Sequence, residues 1–139
     1  MAIIIIPAII LMVILGLYEM FLIHHDESFR GSHWLGHGLS TFPTIFIALF
    51  AVFNTPYFLD LVGLSGISFF GNEWVVRGLI GFIIMIRIHA QSAVVKATGA
   101  TGKGMHETFI HSLVIGALIV ASPLYWTLLE PLVMNILPI

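Results

Sequence analysis

The chain has 139 residues, of which 59% are hydrophobic and 9% are charged, and its mean hydropathy is +1.08. Soluble domains carry about 25% charged residues, so this chain has too few polar groups to cover its own surface in water. Five Lys and Arg residues against seven Asp and Glu exclude a basic surface for nucleic acid. The absence of cysteine excludes disulfides, thiolate metal sites and iron–sulfur clusters. Composition therefore predicts a small membrane protein.

Four stretches are long and apolar enough to cross a bilayer core, which is about 30 Å thick and needs roughly 20 residues of helix. They cover residues 3–23, 34–59, 74–95 and 106–129. Backbone groups in lipid must be hydrogen-bonded within their own segment, so each stretch is predicted to be helical. The predicted fold class is an all-α integral membrane protein, with four transmembrane helices bundled in a single domain over residues 1–139.

The distribution of Lys and Arg predicts the orientation in the cell membrane, because the cytoplasmic ends of spans carry an excess of these residues. Four of the five lie at or near the first and third connections: Arg30, Arg87, Lys96 and Lys103. Arg77 alone lies towards the other side. We therefore expect the connections 24–33 and 96–105 to be cytoplasmic, with both termini outside.

The histidines are the most informative feature of the chain. If the four helices alternate in direction, all seven lie at one membrane face: His24, His25, His33, His37, His89, His106 and His111. At a rise of about 1.5 Å per residue, one ionisable residue from each helix lies roughly 5–10 Å inside that face. These four residues, named here the histidine layer, are Glu19, His37, His89 and His111. Three further residues flank it: His33, Arg87 and Glu107.

The residue types in the histidine layer are those that bind transition metals. Neutral imidazole is a common ligand of zinc, copper and iron, and a carboxylate can complete the shell or orient a histidine. Ionisable groups within spans usually face a bundle interior and mark ions, protons or cofactors. The layer is therefore a candidate site for copper, iron, haem or zinc, without an assigned catalytic residue. Two structural explanations would give the same pattern and stay open. The layer could be a hydrogen-bonded polar cluster without a ligand, or the histidines could lie at the membrane boundary with one ring edge in water.

In size, number of spans and isoleucine-rich composition, the whole chain resembles the small helical subunits that accompany archaeal membrane oxidases and copper-dependent ammonia monooxygenases. This resemblance implies a supporting subunit that lies beside catalytic ones. The histidine layer would then be structural, or would assist a copper site held mainly by other subunits. The resemblance transfers no functional residue to this chain.

Three classes of function remain open. The first is an accessory subunit of a membrane complex, such as a copper monooxygenase or a respiratory oxidoreductase, with other membrane proteins and lipid as partners. Catalysis by this chain alone is not expected. The second is a haem- or metal-binding bundle in electron transfer, since paired histidines on facing helices are a usual way to hold haem. The third is a small oligomeric channel or proton-linked transporter, although the sequence contains no inverted repeat, filter sequence or recognisable broken-helix pair.

Overall fold

The computed structural model describes the backbone of residues 3–25, 33–98 and 109–136, and the side chains of all of these except 23–25, 33–38 and 91–98. The regular secondary structure of this part of the chain is all helical, which confirms the predicted all-α fold class. Its five α-helices are α1 (Ile6–His25), α2 (His33–Phe53), α3 (Thr55–Leu61), α4 (Glu73–Thr98) and α5 (Phe109–Ile136), and a short 3-10 turn (Ser68–Gly71) precedes α4.

Among the described helices, α5 is long and apolar enough to cross a bilayer by itself. The helices α2 and α3 qualify only if they are counted together across the break between them, and the apolar part of α1 is shorter. Residues 73–90 of α4, whose side chains are described, include three charged residues, Glu73, Arg77 and Arg87. Length and composition of these helices thus support one candidate membrane span, or two with the broken pair, whereas the sequence predicts four.

The long helices pack as two antiparallel pairs around a shared apolar core. The helix α1 packs on α2, α4 packs on α5, and α2 contacts both members of the second pair. The largest fully buried apolar side chains come from all four long helices: Leu11, Ile45, Leu49, Ile88, Ile115 and Ile119. Their contacts hold the four helices together in one bundle.

The helices α4 and α5 approach each other through two glycines. A Cβ atom at Gly81 would overlap the side chain of Val120 and would lie 3.0 Å from the carbonyl oxygen of Gly116. A Cβ atom at Gly116 would lie 2.9 Å from the carbonyl oxygen of Gly81. Each glycine therefore leaves room for the backbone of the other helix, and any side chain at either position must push the two helices apart.

The stretch that the sequence predicts as one span over residues 34–59 is interrupted. The helix α2 ends at Phe53, and α3 is inclined to it by 105°. At the break, the side-chain amide of Asn54 donates to the carbonyl oxygens of Phe50 at 2.9 Å and Ile4 at 2.8 Å, and its Oδ1 accepts the Ile4 N–H at 2.7 Å. Asn54 thereby ties the corner to the start of α1.

Proline chemistry explains why the helical ladder stops there. Pro56 has no N–H, so the carbonyl of Val52 loses the partner that a continuing α-helix would provide. Two side chains replace it: Thr55 Oγ1 donates to the Val52 oxygen at 3.0 Å, and Arg77 Nε donates to it at 3.4 Å. Thr55 Oγ1 also donates to the carbonyl of Ala51 at 3.2 Å. The corner is thus hydrogen-bonded by the protein itself.

Candidate functional site

Contacts between α1 and α2 show where Glu19 lies along the bundle. A Cβ atom at Gly16 would lie 2.7 Å from the ring of Phe42, so these two residues are at the same level. The helices run in opposite directions, and counting three residues along each from this contact places Glu19 level with Leu39. Glu19 is fully buried, on the same face of α1 as Leu15 and Leu11. Its carboxyl group therefore lies in the bundle interior, near the histidine end.

The contact between α2 and α5 extends this level to a third helix. The rings of Phe53 and Trp126 lie 6.4 Å apart and are nearly perpendicular. The helices α2 and α5 run in the same direction, so counting back along both from this contact places Leu39 level with Ser112. Ser112 is fully buried, and so is Thr41 on α2. Three helices thus contribute a buried polar side chain near one level.

We name Glu19, Thr41 and Ser112 the buried polar layer. Burying a carboxyl or hydroxyl group in apolar surroundings costs free energy unless the group has polar partners. Three such groups near one level therefore form a polar region within an otherwise apolar core. Sequence reasoning selected Glu19 but missed the two hydroxyl groups. The available signals were that Thr41 lies four residues after His37 and that Ser112 adjoins His111.

Two histidines of the histidine layer have described side chains, His89 on α4 and His111 on α5, and they do not face each other. The ring of His89 packs edge-on against Phe109, with centroids 5.7 Å apart and an interplanar angle of 81°. Phe109 and His111 are two residues apart, so on a helix of about 3.6 residues per turn their side chains point to nearly opposite sides. His111 lies at the level of Glu19 because it precedes Ser112. The structure therefore places the His111 side chain near the level of Glu19 and on the side of α5 away from Phe109 and His89.

Both described imidazoles retain unused hydrogen-bonding capacity. The Nδ1 atoms of His89 and His111 are buried, and no described residue provides either atom with a hydrogen-bond partner. The guanidinium of Arg87, which was predicted to flank the layer, belongs to an exposed side chain on α4. The side chains of His33 and His37 and the whole of Glu107 lie outside the described residues.

The described residues alone do not complete a metal site. Within residues 3–22, 39–90 and 109–136, no three His, Asp or Glu side chains come close enough together to hold a metal ion. On the backbone of α2, position 37 lies four residues before Thr41 and hence about one turn from the level of the buried polar layer. The predicted metal site at Glu19, His37, His89 and His111 stays a prediction.

A groove of about 220 Å³ between α4 and α5 offers no chemistry of its own. All eight residues that line it are glycine or apolar, and they include Gly78, Phe82, Leu113 and Ala117. Without an acid, a base or a metal ligand in its lining, this groove is not a candidate active site. The candidate functional site is therefore the level of the bundle that contains Glu19.

That level presents a carboxyl group, an imidazole and two hydroxyl groups, which are oxygen and nitrogen donors for a cation. No protein-family model, curated protein or solved structure matches the chain.

Proposed function

We propose that the chain is an integral membrane protein in which α1, α2, α4 and α5 each cross the bilayer, and that it is an accessory subunit of a larger membrane complex. The observation that carries this proposal is the distribution of side chains. Large apolar residues are exposed on all four long helices, among them Leu17, Ile47, Ile83 and Leu128, which are 56%, 59%, 59% and 75% exposed. The buried polar layer lies inside. An exterior of this kind suits lipid or neighbouring apolar helices.

Two properties of the described residues support the proposed subunit role. Three buried polar groups lie in the interior, most exposed charged groups lie towards the ends of the helices, with Arg87 on α4 as the exception, and the groove between α4 and α5 has no reactive lining. Apolar outer faces on every long helix give the chain broad surfaces for packing against other membrane proteins. A copper monooxygenase or a respiratory oxidoreductase is the class of complex that the resemblance implies. We place the connections 24–33 and 96–105 in the cytoplasm, in accord with the excess of Lys and Arg.

The test of the subunit role is native isolation. Affinity-tagged chain is extracted from its own membranes in a mild detergent, separated by native electrophoresis and identified together with co-migrating chains by mass spectrometry. We expect a particle much larger than the 15.3 kDa chain in its detergent micelle, with the same partner chains in fixed proportion. An unrelated tagged membrane protein of similar size, taken from the same membranes, serves as control. A lone, stably folded protomer would contradict the proposal.

A metal centre at the level of Glu19 is a second candidate function. It is favoured by a fully buried carboxyl group on α1 near the level of His111 on α5, whose Nδ1 has no partner among the described residues. Imidazole and carboxylate are ligands for zinc, copper and iron. Two described ligands do not suffice, so this centre requires His37 or a ligand from a partner subunit.

Metal analysis of the native complex tests this second candidate. We expect the copper, iron or zinc bound per chain to fall towards background in His111→Ala and Glu19→Gln, because each change removes a ligand. His89→Ala is the matched control: it removes a histidine of the same layer on the other side of α5, so the metal content should be retained. Native complex without stoichiometric metal, or equal losses in all three variants, would contradict a centre at this level.

The structure supplies less support for a channel or transporter. The break between α2 and α3 is the kind of feature that forms ion sites in transporters, where unwound carbonyl groups bind the ion. Here, however, the carbonyl of Val52 accepts hydrogen bonds from Thr55 and Arg77, and that of Phe50 accepts from Asn54. Because these oxygens already have protein partners, we interpret the break as a structural corner.

A further inference from the structure

The corner between α2 and α3 brings a short amphipathic segment to the end of the bundle opposite the histidines. The segment 55–74 comprises α3, the 3-10 turn and the start of α4, and is named here the end platform. Its first helix is inclined by 105° to α2. If α2 crosses the bilayer as proposed above, α3 must run almost parallel to the membrane plane. The end platform then lies at the depth where the spans leave the hydrocarbon.

The end platform has an inner and an outer apolar side. Four residues pack against the core of the bundle: Phe58, Leu59, Leu64 and Phe70. The outer side chains are exposed, and the most exposed of the large apolar ones are Leu61, Phe69 and Trp74, at 68%, 62% and 47%. An end segment that only closed the bundle against water would need no second set of large apolar side chains.

Polar groups between these apolar side chains identify the environment that suits them. Asp60, Ser65, Ser68 and Asn72 are exposed along the same segment. An element that alternates exposed apolar and polar groups fits the boundary between headgroups and acyl chains, where amphipathic helices lie in the plane of the membrane. Trp74 is a residue type enriched at this boundary.

The charges favour zwitterionic over anionic headgroups. The carboxylate of Glu73 pairs with Arg77 at 2.6 Å, and the Arg77 guanidinium lies 5.0 Å from the centre of the Trp74 ring. The Arg77 side chain is only 15% exposed, whereas that of Glu73 is 50% exposed and Asp60 is also exposed. The outer side of the end platform therefore presents more negative than positive charge to lipid.

We propose that the end platform inserts its outer side into the headgroup boundary of a zwitterionic leaflet and so sets the depth of the bundle in the membrane. This inference rests on the proposed membrane crossing. The exposed apolar residues of the platform continue into those of α4, such as Leu79 and Phe82, so that one apolar surface passes from the boundary into the hydrocarbon. The lipid boundary accounts for both the apolar and the polar groups on this face.

Nitroxide labels measure this insertion directly, and the chain contains no cysteine that would interfere. The full chain is reconstituted in phosphatidylcholine vesicles with one label at Phe69→Cys or Leu61→Cys. Ser68→Cys is the matched control within the same 3-10 turn, and Ile83→Cys on the exposed side of α4 reports on the membrane crossing itself. Power saturation then compares collisions with membrane-dissolved oxygen and with an aqueous nickel chelate.

We expect the Phe69 and Leu61 labels to favour oxygen over nickel and to lie about 5–10 Å below the headgroups, with the Ser68 label more accessible to nickel. Adding anionic lipid should not deepen the two labels. If both are as accessible to nickel as Ser68, or are shielded from both reagents by a second copy of the chain, the platform proposal is overturned. A water-accessible Ile83 label would overturn the membrane crossing as well, whereas a lipid-facing Ile83 label confines the failure to the platform.

Discussion

Replacing Gly116 by alanine is expected to lower the free energy of unfolding by about 1–3 kcal/mol, the usual cost of overpacking a well-packed interior. The new Cβ atom would lie 2.9 Å from the Gly81 carbonyl oxygen and 3.3 Å from Cβ of Met85. Neither atom belongs to the flexible end of a side chain, so α4 and α5 must separate. Thermal or denaturant unfolding in detergent, followed by circular dichroism, measures the loss.

Gly78→Ala is the matched control, because Gly78 lies on α4 one turn from the crossing and a Cβ atom there would meet nothing within 4 Å. Alanine is a better helix former than glycine by about 1 kcal/mol, so this variant should be as stable as the parent chain or more stable. Equal destabilisation by the two substitutions would show that the approach of α4 and α5 at Gly81 and Gly116 does not limit stability.

Replacing Asn54 by leucine is expected to destabilise the chain by about 2–3 kcal/mol, since a buried polar group without a partner costs roughly 1–3 kcal/mol. Leucine is close in size but removes three hydrogen bonds of 2.7–2.9 Å, two with the backbone of Ile4 and one with that of Phe50. Asn54 is 5% exposed, so water cannot easily replace them. The same unfolding measurement gives the difference.

Asn135→Leu, at an exposed position near the end of α5, is the control for this substitution and should change stability by less than about 0.5 kcal/mol. A second readout is protease cleavage of the N-terminal residues, which should become faster in Asn54→Leu because Ile4 is released from the corner. Unchanged stability together with unchanged cleavage would mean that the Asn54 contacts do not hold the start of α1.

The helices that the sequence predicts correctly are those whose composition allows no other structure. The stretches predicted over 3–23, 74–95 and 106–129 correspond to α1, α4 and α5, and the largest difference is at the end of α5, which continues seven residues beyond the predicted end to Ile136. In apolar runs of this length, the α-helix is the structure that satisfies the hydrogen bonds of all backbone N–H and C=O groups within the segment. The interruption after Phe53 escaped prediction because residues on both sides of it are apolar and hydropathy does not distinguish a bent segment from a straight one.

That interruption depends on contacts between distant parts of the chain. Asn54 is hydrogen-bonded to Ile4, which is 50 residues away in the sequence. The Val52 carbonyl, which Pro56 leaves without its helical partner, accepts a hydrogen bond from Arg77, 25 residues later in the sequence. Pro56 by itself indicates a weak point in the helix. Where the chain bends, and by how much, becomes definite only when Ile4, just before α1, and Arg77 on α4 supply hydrogen bonds at the corner.

For the candidate site, too, the sequence determines some features and the tertiary structure determines others. The rise per residue along a helix predicts level, and counting along the helices from the Gly16–Phe42 and Phe53–Trp126 contacts also puts Glu19 and His111 near one level of the bundle. Composition likewise determines the all-α fold class. Rotation about each helix axis is decided by packing, and only the tertiary structure separates His89 from His111 across α5 and adds Thr41 and Ser112 to the level of Glu19. The depth of a residue follows from the fixed rise per residue of a helix. The direction in which its side chain points within the bundle depends on which helix lies beside which.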